Sequence, residues 1–119
     1  MRMWGGAPLA LFNQLGYCWR VEKHTPHCKL SVVKSLVAVG KVRVTDSARS
    51  GATAMGLDRD GMLAVVTMLV PADFYKSMTT HADHRIWQDV YHTRTPRGEA
   101  VYLKLTVIDD VLIVSFKEL

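Results

Sequence analysis

Side chains that could bind and cleave a phosphodiester are concentrated in one stretch, residues 73–91, with the sequence DFYKSMTTHADHRIWQDVY. The stretch combines a lysine, paired threonines, two histidines, a glutamine, a tryptophan and two tyrosines, which can donate, accept or stack. Two strands expected after it each add a cation, Lys104 and Lys117. This set of groups favours RNA, which supplies a 2′-hydroxyl that can serve as the nucleophile.

Cleavage of RNA by its own 2′-hydroxyl asks three things of a protein. One group takes the 2′ proton, cations stabilise the extra charge on the phosphorane, and an acid protonates the departing 5′ oxygen. Ammonium groups close together lower each other's pKa, so one lysine can transfer a proton while another stays charged. The candidates are Lys76, Lys104 and Lys117. We expect this chemistry to need no cofactor.

Other chemistries match the sequence less well. His81 and His84 in HADH could join a nearby aspartate in a metal-dependent phosphodiesterase. A zinc site needs three or four ligands, however, and no second ligand cluster follows, so we expect no metal site. The sequence has neither a GxSxG nucleophile motif nor a GK[ST] phosphate loop. A module that binds RNA without cutting it is the alternative function.

Composition predicts one globular domain, because 49% of the 119 residues are hydrophobic. The net charge of +4 and the pI of about 9.3 favour an anionic partner. The excess is uneven: residues 1–20 carry +2, residues 21–56 carry +4 (six basic, two acidic) and residues 57–119 carry −2 (seven basic, nine acidic). Charge alone therefore does not locate a site. Cys18 and Cys28 form no CxxC pair, which fits a reducing cytoplasm.

The first twenty residues are expected to be an accessory or poorly ordered extension in front of a domain formed by residues 21–119. Gly5, Gly6 and Pro8 interrupt their apolar patch. The patch falls short of the ~20 apolar residues that span a bilayer. A single early arginine and the lack of a small-x-small cleavage site also make it a poor secretory signal. We expect no membrane partner.

Three helices are predicted in the first half of this domain. In the first of them, apolar residues recur at three- and four-residue spacing. Thr45 or Asp46 can cap the second, which Gly51 weakens. The third ends at Pro71, and its methionines are assigned to the core. The predicted spans are residues 29–39, 47–55 and 61–70.

Strands are predicted from alternating side chains. A short strand, KVRVT at residues 41–45, turns its basic residues to the polar side. From Ala100 the alternation is plain in VYLKLTV and again in VLIVSFK, with Asp109 and Asp110 in a tight turn between them. The sequence therefore predicts an α+β fold, with N-terminal helices packed on an antiparallel sheet.

Longer motifs show a resemblance to a known family. The segments TPH, LSVVK, GLDRDGM, DFYKSMTT, IWQDVY, VYLKLTV and DVLIVSFKE occur in this order. Together they closely resemble the MqsR toxins of bacterial toxin–antitoxin pairs, over about residues 21–119. The resemblance implies a RelE/YoeB-like ribonuclease toxin fold. It also implies an mRNA interferase that cuts transcripts at GCU-like sites without the ribosome, and that arrests translation and growth in stress and persistence.

The same resemblance implies the site residues. The proposed catalytic residues of the family fall on Lys76 in FYKSM, Gln88 in WQDVY, Tyr102 in VYLK and Lys117 in SFKE. The lysines would neutralise or protonate the phosphate, the tyrosine would donate or accept at the scissile group, and the glutamine would orient it. General base and general acid stay unassigned among them. Tyr75, Met78 and Arg94 are expected to contact the RNA, whereas Trp87 is assigned to the core.

A cognate antitoxin of the MqsA kind, with a zinc-binding half and a helix-turn-helix half, is also implied. The present chain has neither a cysteine quartet nor a helix-turn-helix stretch, so we do not expect it to be that partner. Two regions depart from the family pattern. Residues 1–20 have no recognised counterpart, and the loop HTRTPRGEA at residues 92–100 is slightly longer, which affects the register of Arg94, Arg97 and Tyr102.

Overall fold

The computed structural model describes residues 21–119 and shows an α+β domain, as predicted. The elements, in chain order, are β1 (Glu22–Lys23), α1 (Leu30–Ala38), β2 (Val42–Val44), α2 (Asp46–Ala54), α3 (Arg59–Thr67), β3 (Phe74–Thr79), β4 (Trp87–Arg94), β5 (Ala100–Ile108) and β6 (Asp110–Glu118). A short 3-10 turn, Pro71–Asp73, precedes β3. The predicted N-terminal extension, residues 1–20, lies outside the described residues.

The six strands form one mixed sheet in the order β1-β3-β4-β5-β6-β2. Strands β3 to β6 are an antiparallel meander, β1 adds antiparallel to β3, and β2 adds parallel to β6. The expected antiparallel sheet is therefore confirmed for β1 and β3 to β6, whereas β2 departs from it. A parallel neighbour requires a crossover connection, and here the chain between β2 and β6 includes two helices and three strands.

Local capping explains where α2 and α3 begin. The Thr45 hydroxyl accepts a hydrogen bond from the amide of Ala48 at 3.1 Å, which confirms it as the cap of α2. The Asp58 carboxylate accepts from the amide of Gly61 at 2.8 Å and caps α3. Among residues 21–119 no helix is long and apolar enough to cross a membrane.

The helices cover one side of the sheet and enclose the core there. Its largest fully buried side chains include Tyr91, Phe116, Met62, Leu69, Leu103, Leu105 and Ile113. Assignment of the third helix's methionines to the core is confirmed for Met62, which is 1% exposed, and is wrong for Met68, which is 62% exposed. The reason is that α3 ends at Thr67, so Met68 lies at its C-cap rather than on its buried side.

Helix α2 packs directly on the backbone of β6. A β-carbon built on Gly51 would lie 1.8 Å from the carbonyl oxygen of Phe116, far inside van der Waals contact. Glycine is needed at this position because any side chain would push the helix off the strand. The residue that weakens α2 in isolation is thus the one that lets α2 dock.

Asp89 fastens the loop between β1 and α1 to the helix side of the sheet. Its buried carboxylate accepts hydrogen bonds from the backbone amides of His27 and Cys28, both at 3.0 Å. Burial, and next the negative charge of Asp89, raises the pKa of the Cys28 thiol. Burial, followed by Asp89 and Cys28, raises the pKa of Tyr91 to about 12.

Assignment of Trp87 to the core is wrong. The indole is only half-buried and lies at the start of β4, outside the core that the helices cover. The ring of His27 stacks on it, with centroids 5.7 Å apart and planes at 18°, and the amine of Lys23 lies 4.1 Å from the ring centre. A residue of β1 and a residue of the following loop, rather than helices, therefore cover this tryptophan.

Candidate active site

Strand β4 turns alternate side chains to the side of the sheet opposite the helices. Because side chains alternate along a strand, Gln88, Val90, His92 and Arg94 share that side, whereas Tyr91 enters the core. We call it the front face, defined by Lys76, Gln88, His92, Tyr102 and Lys117.

Three of these residues form a row across neighbouring strands. His92, Tyr102 and Lys117 are successive Cα partners on β4, β5 and β6, so their side chains project together. The rings of His92 and Tyr102 are 5.9 Å apart and tilted by 45°. The amine of Lys117 lies 5.2 Å from the centre of the Tyr102 ring. The structure therefore brings the predicted tyrosine and late lysine into contact.

A β-bulge places the side chains of two successive residues of β3 on the front face. The register with β4 shifts between Phe74 and Lys76, which leaves Tyr75 as the extra residue. Its ring stacks on His92 at 4.2 Å with an interplanar angle of 17°. Lys76 pairs with Val90 and so points to the same side, with its amine 5.5 Å from the Tyr75 ring. The bulge thus aligns Tyr75 and Lys76 with the row formed by His92.

Lys76 is held by a carboxylate that the sequence did not suggest. Its amine donates to Glu22 of β1 at 2.5 Å, a charge-assisted hydrogen bond. Glu22 is the Cα partner of Met78, so β1 delivers the carboxylate to the front face. The Lys76 side chain is 22% exposed, which leaves part of it open to a ligand.

Gln88 and Met78 lie further along the front face. They are Cα partners of each other across β3 and β4, and Gln88 is half-buried while Met78 is 4% exposed. His92 lies four positions after Gln88 along β4, which corresponds to ~13 Å of strand. The structure therefore puts Gln88 on the same face as the other three predicted catalytic residues but outside the cluster around His92.

Arg94 lies on the other side of His92, beside an open groove. The groove has a volume of about 520 Å³ and runs from His92 past Arg94 to the exposed side chains of Met68 and Leu119. The guanidinium of Arg94 donates to the carbonyl of Gly98 at 2.8 Å. That contact positions the cation at the rim of the groove, where a phosphate of a bound strand could reach it.

The loop that carries His81 and His84, between β3 and β4, is built around Asp83. Arg85 holds the Asp83 carboxylate through two hydrogen bonds, of 3.1 and 3.2 Å, and lowers the pKa of that carboxyl. Within residues 21–119 no group of three histidine, cysteine, aspartate or glutamate side chains converges in a way that could hold a metal ion.

Two residues of the site were missed from the sequence: His92 on the front face and Glu22, whose carboxylate pairs with Lys76. His92 has a usable signal, since in a strand over QDVYH it would share a side with Gln88. Glu22 had none, because its contact with Lys76 joins residues that are 54 positions apart.

Comparison with known proteins supports the resemblance drawn from the motifs. The sequence profile of a family described as "Motility quorum-sensing regulator, toxin of MqsA" matches residues 25–118, which include all five front-face residues but not Glu22. The mRNA interferase toxin MqsR of Escherichia coli (strain K12) is 61% identical over 98 residues, which cover 82% of this chain and 99% of that relative. The chain therefore belongs to the MqsR toxin family.

Proposed function

We propose that this chain is the toxin of a type II toxin–antitoxin pair and acts as an mRNA endoribonuclease that needs no metal ion. The observation that supports this function best is the row of His92, Tyr102 and Lys117, joined by Tyr75 and Lys76 through the bulge of β3. A row of cations, phenols and an imidazole on one open face can bind a phosphate and move protons. The printed name of the Escherichia coli relative, an mRNA interferase toxin, points to the same reaction.

The scissile phosphate lies between the two predicted catalytic lysines. Lys76 on β3 and Lys117 on β6 are separated by three strand spacings, ~14 Å between backbones, so their long side chains can reach a phosphate from opposite sides. Their charges stabilise the phosphorane that forms when the 2′-oxygen attacks. Tyr102 donates to or accepts from the scissile group. Gln88, further along the face, orients the neighbouring nucleotide.

The remaining predicted contacts form a track for the RNA strand. Tyr75 is 49% exposed, and its ring offers a surface on which a base can stack. Arg94 holds a phosphate at the rim of the groove. Met78 supports Gln88 from β3 rather than presenting a surface of its own, because it is buried. Selectivity for GCU-like sites would come from the base edges that this track reads.

The biological setting follows from the family. Residues 21–119 would form one toxin domain of the RelE/YoeB-like class that works in the cytoplasm, where mRNA cleavage arrests translation and growth under stress and favours persistence. The partner would be an antitoxin of the MqsA kind with a zinc-binding half and a helix-turn-helix half. The family description, which names a toxin of MqsA, supports this partner.

The deciding experiment is incubation of the purified protein with a defined RNA that contains GCU sites, with and without EDTA. We expect cleavage in both, 2′,3′-cyclic phosphate ends, and no cleavage at a site whose nucleotide carries a 2′-deoxy sugar. Primer extension maps the cuts. Lys76→Ala and Lys117→Ala variants that still fold should be inactive, and Lys41→Ala, at the exposed residue just before β2, serves as the matched control.

Two results would reject the proposal. Activity that disappears in EDTA and returns with a divalent cation would indicate a metal-dependent phosphodiesterase. RNA that is bound but stays intact would indicate the alternative function, a non-catalytic binding module.

A further inference from the structure

We propose that His92 is the general base of the site, the group that takes the proton from the attacking 2′-hydroxyl. This role rests on the ribonuclease function proposed above. It assigns the general base, one of the two roles left unassigned among Lys76, Gln88, Tyr102 and Lys117, to a residue absent from the family-derived set.

The position of His92 suits a proton acceptor. Its ring is fixed by stacking on Tyr75 at 4.2 Å and by the tilted ring of Tyr102 at 5.9 Å, so the imidazole plane is oriented before substrate binds. Within the described residues neither ring nitrogen has a hydrogen-bond partner, and the residue lines the open groove. An oriented imidazole with a free nitrogen edge beside a substrate-sized groove is what proton abstraction requires.

The neighbouring lysines are engaged as cations. The amine of Lys76 makes its ion pair with Glu22, and the amine of Lys117 lies over the Tyr102 ring. Both contacts are made by the charged ammonium form, which has no lone pair with which to accept a proton. Histidine, by contrast, is the residue type that takes up and releases a proton near neutral pH.

The charged and titratable groups around His92 come from each element packed against it. They are Tyr75 and Lys76 on β3 with Glu22 beyond them, Tyr102 and Lys104 on β5, Lys117 on β6, Arg94 on β4 itself, and Asp73 of the 3-10 turn. The Asp73 carboxylate already accepts hydrogen bonds from the backbone amide of Val70 at 3.0 Å and from the hydroxyl of Thr93 at 3.3 Å. Cations therefore outnumber carboxylates around the imidazole, which suits a site that binds the phosphate of RNA.

The step balances as follows. The 2′-oxygen forms a bond to phosphorus while its proton moves to the free nitrogen of His92. The bond between phosphorus and the 5′-oxygen breaks, and that oxygen takes a proton from the ammonium of Lys117, while Lys76 stays charged beside the non-bridging oxygens. The products are a 2′,3′-cyclic phosphate and a 5′-hydroxyl. His92 then returns its proton to water, from which Lys117 regains one.

Two variants separate proton transfer from stacking. His92→Gln removes the base, and His92→Phe keeps an aromatic ring against Tyr75 but cannot accept a proton. In single-turnover cleavage across acidic to alkaline pH, we expect the wild-type rate to rise with pH and then level off. Both variants should be slower by about 100-fold or more and should lose the rising limb. Affinity for an RNA with a 2′-deoxy sugar at the cleaved nucleotide should stay the same, and His81→Gln in the β3–β4 loop should match wild type.

The outcomes are distinguishable from failure of the proposed function. Wild-type protein that cuts RNA while His92→Phe keeps its rate and its rising limb would overturn the role of His92 alone. Wild-type protein that leaves RNA intact would overturn both proposals.

Discussion

The amine of Lys117 lies over the ring of Tyr102, 5.2 Å from its centre, and the two residues are direct partners across β5 and β6. The contact joins a cation and a phenol into one unit, because moving either side chain changes the surroundings of the other. The backbone of this unit is fixed from behind, where Gly51 of α2 meets the carbonyl of Phe116. The front face is thus positioned by the helix side of the sheet.

Replacing either Lys117 or Tyr102 should slow cleavage, and the rate loss of the double variant should be smaller than the two single losses combined. Lys117→Met removes the charge beside the phosphate and should slow single-turnover cleavage by about 100-fold or more. Tyr102→Phe keeps the ring under the lysine and removes only the hydroxyl, so its effect isolates the phenol. The double variant should lose less than the product of the two factors, because the groups act together. Independent, fully multiplicative losses would contradict this coupling.

Arg94→Gln should weaken RNA binding without changing the rate at saturating RNA. If Arg94 contacts one phosphate, the slope of log affinity against log salt should become shallower by about 0.7, the expected change for one phosphate of a single strand. Fluorescence titrations with non-cleavable RNA at several salt concentrations measure it. Arg49→Gln, an exposed arginine of α2 paired with Asp46, is the matched control and should leave the slope unchanged. Equal salt slopes for the two variants would show that Arg94 does not contact an RNA phosphate.

Gly51→Ala should destabilise the fold, although glycine to alanine in an open helix normally stabilises it by about 1 kcal/mol. The added methyl group would lie 1.8 Å from the Phe116 oxygen, so α2 must move away from β6. We expect a loss of about 2 kcal/mol or more, a fall in Tm of roughly 8 °C or more in a domain of this size. Thermal unfolding followed by circular dichroism measures it. Ser50→Ala, at the exposed neighbouring residue, should change Tm little. A Gly51→Ala protein as stable as wild type would show that α2 packs less closely on β6.

Acidification should cost stability through His27. Burial first, and then the charge of Lys23, lowers the pKa of His27 below its ordinary 6.5, while Asp89 acts in the opposite direction. The unfolded chain therefore binds this proton more readily than the folded chain. The contribution of neutral His27 to the free energy of unfolding is fully present above pH 6.5 and is lost as pH falls through the lower folded-state pKa. In His27→Gln the difference in Tm between about pH 7.5 and about pH 5.5 should shrink, whereas His24→Gln in the same loop should retain it.

The helices and the last hairpin follow from local rules. Apolar spacing predicts α1 and α3 within a few residues, Thr45 marks the start of α2, and alternation predicts β5 and β6. Strands β3 and β4 escape this kind of reasoning because both of their sides are partly buried. Ser77 and Asp89 are buried on the helix side, and Met78 and Val90 on the front, so apolar and polar residues do not alternate.

The site depends on registers that no local rule contains. Family motifs point to Lys76, Gln88, Tyr102 and Lys117, but only the pairing of β3 through β6 shows that all four share one side of the sheet. Their catalytic roles stay predictions. His92 was missed because its importance arises from the rings that flank it, and the bulge at Tyr75 that creates one of those contacts has no signature in DFYKSM.

The ion pair between Glu22 and Lys76 bears on how the protein chooses among the many polyanions of a cell. With its amine already neutralised, Lys76 adds little to the long-range attraction that would hold any nucleic acid indiscriminately. If Lys76 contacts the phosphate as proposed, the phosphate has to displace the carboxylate of Glu22, and we expect a strand seated in the correct register to gain enough from its other contacts to do so. Discrimination between a true target and bystander RNA would then begin with this exchange of one anion for another.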